Sequence, residues 1–233
     1  MMKKPFQALT GFACILITGS AMAAGTADMS VGGTVITGSC TPTLSASTLD
    51  YGTIDVSRLT STNEIEGNRL GFRDITLNVT CDSPMKVAWG ATDNRLGTAA
   101  YLNSDAQYET YYGRAYYFGL GDTPEGKHIG SFSIQLVESG STVDGEQAVL
   151  AERESISEPW GDLFNDDSAL IYESSKYPNR QFTAVSPGTL EPMAATTVSY
   201  ALSISLQVDL MSNLNLTDDT VLDGSATFTL VYL

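Results

Sequence analysis

The chain has 233 residues, of which 42% are hydrophobic, and its formal net charge is −15 at pH 7. Nucleic acid and anionic membrane surfaces would repel such an acidic polypeptide, so no nucleic acid is expected as a partner. The length suits one large β domain or two small ones, and it is sufficient to bury a sizeable core.

The N-terminus has the three-part layout of a secretory signal peptide. A short basic region with two lysines precedes an apolar stretch over residues 9–17, and an Ala-Met-Ala triplet ending at Ala23 fits the cleavage rule. The apolar stretch is far shorter than the roughly 20 residues that a membrane-spanning helix needs. The sequence therefore predicts secretion without a helical membrane anchor. Cleavage is expected after Ala23, with Ala24 as the second choice.

Two cysteines, Cys40 and Cys81, remain after removal of the signal, because Cys14 lies within it. An exported chain with two cysteines most often joins them, so we expect a disulfide, with two free thiols as the alternative. In the chain-entropy model the closed loop would stabilise the fold by about 4 kcal/mol. His128 is the single histidine, and no C-x-x-C pair exists, so we expect neither a zinc site nor a cofactor.

Alternation of apolar and polar residues predicts β-strands along the whole chain. The predicted strands cover residues 31–37, 75–80, 86–89, 132–137, 197–210 and 225–233. Turn-rich segments separate them, and helical spacing is limited to a short candidate helix over 146–155. Residues 138–180 are the least strand-like part and are expected to form long loops. Many short strands with turns between them predict an all-β sandwich, with residues 37–233 as one domain after an extension at 24–36.

Residues that could support catalysis are few. His128 lies in a turn that runs into a strand, and no G-x-S-x-G motif is present. Asp162, Asp166 and Asp167 could pair as in a glycosidase or bind calcium, but acidic loops are common in so acidic a chain. The loop also lacks the regular ligand spacing of a calcium loop. We therefore expect no enzyme and no metal site, and a secreted hydrolase is the third-ranked alternative.

Tyrosines cluster between residues 101 and 117, and Trp160 follows later in the chain. Exposed aromatic rings stack on sugars and suit interfaces, but they are also ordinary core residues of β-sandwiches. Core packing is the preferred interpretation. The alternative is a self-contained carbohydrate-binding module, in which Tyr111, Tyr112 and Trp160 would contact a host or surface glycan.

The last predicted strand reaches the final residues of the sequence. Ala226, Phe228, Leu230 and Tyr232 alternate on one face of it. Because terminal residues usually fray, an apolar strand at this position is expected to pair. Its partner is either an internal strand or a strand supplied by another chain.

Motifs near both ends resemble those of chaperone–usher fimbrial subunits. A Gly-Gly-Thr-Val segment at 32–35 leads to Cys40 as in the first strand of a pilin, and a Val-Thr-Cys triplet ends at Cys81. The segment 224–233, with its penultimate Tyr232, is similar to the pilin strand that chaperones bind. Within this class the chain is similar to the GltF-type fimbrial-like proteins. The stretches that carry this second resemblance are 92–95 (TDNR), 118–121 (FGLG) and 222–227 (LDGSAT).

The resemblance implies an incomplete immunoglobulin-like β-sandwich that lacks its last strand. A periplasmic fimbrial chaperone would fill the groove beside the final strand, and an outer-membrane usher and other fimbrial subunits would be the later partners. The implied acceptor residues are Ala226, Phe228, Leu230 and Tyr232, and the implied donor residues are Ala27, Met29 and Val31. We therefore expect a fimbrial-like structural or interaction subunit in the periplasm or in a cell-surface fimbrium, with a role in adhesion.

Overall fold

The computed structural model describes residues 38–59, 68–100, 116–163, 168–171 and 180–233, together with Met29. All of these except Met29 belong to one unit, Thr37–Leu233. Several predicted features lie outside the described residues. They are the signal peptide, the strand at 31–37, the donor residues Ala27 and Val31, and both glycan-contact tyrosines, Tyr111 and Tyr112. In the described part of the chain, no helix is long and apolar enough to cross a membrane.

The described chain forms an all-β sandwich of two antiparallel sheets, as the sequence predicts. The first sheet contains β1 (Cys40–Leu44), β2 (Asn68–Met85), β11 (Ala195–Val208), β5 (Gly130–Val143), β4 (Phe118–Gly119), β6 (Glu146–Gln147) and β9 (Ser168–Leu170). The second contains β12 (Ala226–Tyr232), β3 (Val87–Asp93), β10 (Gln181–Val185), β7 (Val149–Arg153) and β8 (Gly161–Asp162). The helical elements are a 3-10 turn at Val56–Arg58 and α1 at Met211–Leu214.

The order of strands places β1 and β12 at sheet edges. The first sheet runs β1-β2-β11-β5-β4, with β6 and β9 also pairing with β5, and the second runs β12-β3-β10-β7-β8. Strand β1 is thus an edge of the first sheet and β12 an edge of the second. Among the described residues, β12 pairs with β3 alone.

Two predictions for the middle of the chain are wrong. Residues 146–155 form β6 and β7 rather than a helix, because Leu150 and Ala151 are buried and β7 pairs with β10. The described residues between 138 and 180 are not mainly loops, since they hold the end of β5 and four further strands. The missed signal is the pair Asp144 and Gly145, which both have positive φ and join β5 to β6 as a two-residue hairpin turn.

Aromatic rings form the centre of the core between the sheets. Trp89 of β3 is fully buried, and its ring centroid lies 5.0 Å from that of Phe182 and 5.4 Å from that of Tyr200. Burial raises the pKa of the Tyr200 hydroxyl, so this tyrosine stays neutral. Phe228 of β12 lies 5.7 Å from Trp89, which connects the terminal strand to the same aromatic cluster. Rings in such tilted contacts stabilise the core beyond their buried area.

The predicted disulfide between Cys40 and Cys81 is present. The two cysteines lie directly opposite each other in the antiparallel pairing of β1 with β2. In the described part of the chain β1 pairs only with β2, so the bond fixes an edge strand to its one neighbour.

Candidate functional site

A groove with a volume of about 1170 Å³ opens between the β1 edge of one sheet and the β12 edge of the other. The first wall, as we define it, is the segment 44–59, which continues from β1. The second wall is the segment 216–228, which leads into β12. Small-molecule pockets measure roughly 300–1,000 Å³, so this groove is larger than a typical ligand site and extends along two chain segments.

The floor of the groove is apolar and comes from the inward faces of the long strands. In β11 the alternate residues Ile204, Leu206 and Val208 line it, because successive side chains of a strand point to opposite faces. Other floor residues are Ile75, Leu120, Ile129, Phe132, Ile134 and Leu214. All of these floor side chains are at most 8% exposed. The floor of the groove is therefore largely shielded from water.

The first wall is tied to the sheet at its start. The backbone N–H of Ser45 donates to the Thr76 carbonyl at 2.9 Å, and the Thr76 N–H donates to Ser45 Oγ at 2.9 Å. Further along, Tyr51 packs partly buried, and the Arg73 guanidinium lies 4.7 Å from the centre of its ring. Burial raises the pKa of Tyr51, and the charge of Arg73 opposes part of that rise.

A buried carboxylate connects two strands close to the second wall. Asp93 is 5% exposed, and its two carboxylate oxygens accept the backbone N–H groups of Arg95 at 2.8 Å and Gly119 at 2.9 Å. Asp93 thus joins the end of β3 to β4. Gly119 is required here, because a Cβ atom would lie 2.2 Å from Thr98 Oγ1 and 2.5 Å from the Arg95 carbonyl.

Two side chains that follow Asp93 hold the second wall directly. Arg95 donates from Nε and Nη2 to the two carboxylate oxygens of Asp223, each at 2.8 Å. This guanidinium lowers the pKa of Asp223 below its ordinary value. The amide of Asn94 donates to Ser225 Oγ at 2.9 Å and to Thr227 Oγ1 at 3.0 Å.

The three stretches that carry the GltF-type resemblance therefore meet at one end of the groove. The stretch 92–95 bonds to both 118–121 and 222–227, and the Asp223 N–H donates to the Leu120 carbonyl at 3.0 Å. Gly224 packs so closely that a Cβ atom would lie 2.8 Å from Leu120 Cδ2 and 3.0 Å from Phe132 Cε1. The sequence showed the three stretches but not that they form one cluster.

The residues predicted as an acceptor face occupy different positions relative to the groove. Ala226 and Phe228 line it, and Leu230 packs partly buried against the core, while Thr227 and Thr229 point outward. The fourth predicted acceptor residue, Tyr232, is 52% exposed. The Tyr232 hydroxyl accepts the backbone N–H of Cys40 at 2.9 Å and so links the ends of the two sheet edges.

The remaining predicted site residues lie elsewhere. Trp160 is partly buried, with the Arg153 guanidinium 4.3 Å from its ring centre, and it does not line the groove. His128 lies 2.7 Å from Asp122 in an exposed turn. Asp162 is exposed on β8, and Asp166 and Asp167 lie outside the described residues. Of the donor residues, the structure describes only Met29. No group of three or more metal-ligating side chains occurs in the ranges that the structure describes.

Comparison with known proteins gives similarity over nearly the full length. The chain is 29% identical to Protein GltF of Escherichia coli (strain K12), in an alignment that covers 92% of each protein. It is also 29% identical to the uncharacterized protein YhcF of the same organism, covering 92% of this chain and 93% of that protein. Residues 29–133 match the family described as "Protein of unknown function (DUF1120)". The matched residues include the first wall, β2, β3, which ends at Asp93, and β4.

Proposed function

We propose that this chain is a fimbrial-like structural or interaction subunit that accepts a β-strand from another chain in the groove between β1 and β12. The observation that carries the proposal is an apolar groove bounded by two sheet edges, one of which is the last strand of the chain. An unpaired sheet edge presents main-chain hydrogen-bonding groups that an added strand can satisfy. The proposed site is therefore a place for a polypeptide strand, not for a small molecule.

The physical gain from an added strand would come from two sources. Its main chain would pair with β12, whose outer edge is not paired by any strand in the described residues. Its alternate side chains would point inward and pack against Phe228 and Ile204. Full burial of one Val or Leu side chain is favourable by about 1.5–3 kcal/mol, so three or four such side chains would offset a large part of the cost of ordering the strand, and the main-chain hydrogen bonds would add to this gain.

The proposed partners follow from this mode of binding together with the sequence. The predicted signal peptide would deliver the chain to the periplasm, where a fimbrial chaperone would supply the first strand. An outer-membrane usher and the N-terminal extension of another fimbrial subunit would take part later. In its own extension this chain would offer Ala27, Met29 and Val31 as donor residues. Similarity to two proteins over more than nine-tenths of the chain supports a fold shared with these relatives.

The test is a chain in which a short turn and an eight-residue strand of alternating Val and Thr follow Leu233. The added strand can fold back antiparallel to β12 and place its valines in the groove. We expect the valine strand to raise the free energy of unfolding by at least about 3 kcal/mol more than the matched control does, because only the valine strand buries four apolar side chains. The matched control has the same turn and length, with Asn in place of each Val.

Two substitutions on β12 locate the effect. Phe228→Ala removes a ring that lines the groove, so it should reduce the gain from the valine strand. Thr229→Ala changes the exposed opposite face and should leave that gain intact. Each gain is measured against the same variant without the extension. A valine strand that stabilises no better than its asparagine control would refute strand acceptance.

A further inference from the structure

We propose that the groove selects a partner strand with apolar side chains on its inward face and basic side chains on its outward face. This inference rests on the proposed function. It starts from the charges of the described residues that line the groove, which are all of one sign. Among these residues Asp50 belongs to the first wall, Asp218 and Asp219 belong to the second, and none is Lys, Arg or His.

The three carboxylates are available to an incoming chain. All three residues are exposed, and none takes part in an ion pair among the described residues. Asp50 accepts the backbone N–H of Gly52 at 2.7 Å, which holds its carboxylate at the start of a turn without neutralising it. The Thr217 hydroxyl donates its proton to Glu125, so its 3.5 Å contact with Asp218 is weak and supplies no counter-charge.

The basic side chains near the groove do not neutralise its rims. Arg95 is already bonded to both carboxylate oxygens of Asp223. Three other arginines line an adjoining pocket of about 300 Å³, which shares four residues of the first wall with the groove. These are Arg58, which belongs to the first wall, Arg69 and Arg73, and none of them lines the groove itself. The described residues that line the groove therefore present an apolar floor with carboxylates on both sides, which we call the acidic rims.

The alternation of a β-strand converts this arrangement into a sequence preference. One set of side chains in an inserted strand would face the floor, and the next set would point outward between the rims. Lys or Arg in the outward set would meet Asp50 on one side and Asp218 or Asp219 on the other. Each exposed pair of this kind contributes a few tenths to about 1 kcal/mol, so three carboxylates together suffice for about a tenfold preference.

The same reasoning separates the groove from the chain's own N-terminal extension. Residues 24–37 contain Asp28 and no Lys or Arg. With Ala27, Met29 and Val31 inward, a second copy would present Asp28 on its outward face, and like charges at close range are unfavourable. A strand with basic outward residues therefore fits the acidic rims better than this chain's own extension would.

The experiment uses three peptides with the same inward valines and with Lys, Gln or Glu at the outward positions. Their dissociation constants for the purified chain are measured by fluorescence anisotropy at low salt. We expect the Lys peptide to bind about tenfold more tightly than the Gln peptide, and the Glu peptide to bind more weakly than both. In about 1 M salt the preference should largely disappear, because the Debye length falls to about 3 Å.

A general attraction of the Lys peptide to an acidic protein must be separated from selection by the groove. The triple variant Asp50→Asn, Asp218→Asn, Asp219→Asn should lose most of the preference for Lys over Gln. The control triple Glu146→Gln, Glu158→Gln, Asp162→Asn makes the same change in charge at exposed residues outside the groove and should keep it.

The possible failures are distinguishable. If none of the three peptides binds, strand acceptance itself is refuted. If all three bind with equal affinity, or if both triple variants lose the preference to the same extent, strand acceptance stands and selection by the acidic rims is refuted.

Discussion

Removal of the disulfide should destabilise the fold by about 4 kcal/mol. The perturbation is the double variant Cys40→Ala, Cys81→Ala. The cysteines are 41 positions apart, and closing a loop of that length removes about 13 cal/mol/K of entropy from the unfolded chain in the chain-entropy model. Cys81 is also 5% exposed, so its replacement by Ala adds a small loss of packing. Most of the effect is thus expected through the unfolded state.

The assay is urea unfolding followed by circular dichroism, for the wild type with and without reductant and for the double variant. The free energy of unfolding of the reduced wild type should lie about 4 kcal/mol below that of the oxidised wild type, and that of the double variant should be slightly lower still. Because β1 leads into the first wall, the loss should also weaken binding of a groove peptide. A loss below about 1 kcal/mol would refute the reasoning from loop closure.

Two further predictions concern the cluster that holds the second wall. Asp93→Ala should lower the free energy of unfolding by about 2–4 kcal/mol, because the variant leaves the N–H groups of Arg95 and Gly119 without their buried acceptor. Urea unfolding measures this loss, and a loss within error of zero would contradict the prediction. For the Arg95–Asp223 pair, Arg95 lowers the pKa of Asp223 from 3.8, so its contribution is present above pH 3.8 and is lost as pH falls through the folded-state pKa. The stability difference between wild type and Asp223→Asn should therefore shrink on acidification below pH 3.8, and a difference that stays constant would contradict the assignment.

Strands with regular alternation could be predicted from the sequence because one of their faces is buried. The predicted strand at 197–210 lies almost wholly within β11, and the one at 75–80 lies within β2. Strands β6 and β7 were missed because charged residues interrupt their short alternation. The Asp144-Gly145 turn was the available signal, since both residues adopt the positive φ that such hairpins require.

Only the part of the site that lies within one strand was predictable from the sequence. Alternation in the last strand indicated Ala226 and Phe228, which do line the groove. It also placed Tyr232 on the same face, but the structure directs the Tyr232 hydroxyl to the backbone of Cys40. This contact joins residues 192 positions apart, and no local pattern encodes it. The first wall was not predicted for the same reason, because its role depends on where β1 and β12 lie in different sheets.

The positions of the polar anchors explain how a groove can exist before a partner arrives. An apolar cleft with no support would close by hydrophobic collapse, since nothing else opposes contact between its walls. Here each wall is bonded to a neighbouring part of the sandwich. The disulfide and the Ser45–Thr76 pair hold the first wall, and Arg95 and Asn94 hold the second. These anchors fix where the walls stand. In the proposed function a strand would enter between the walls without breaking the sheets, and the exposed acidic rims would favour strands with basic outward side chains.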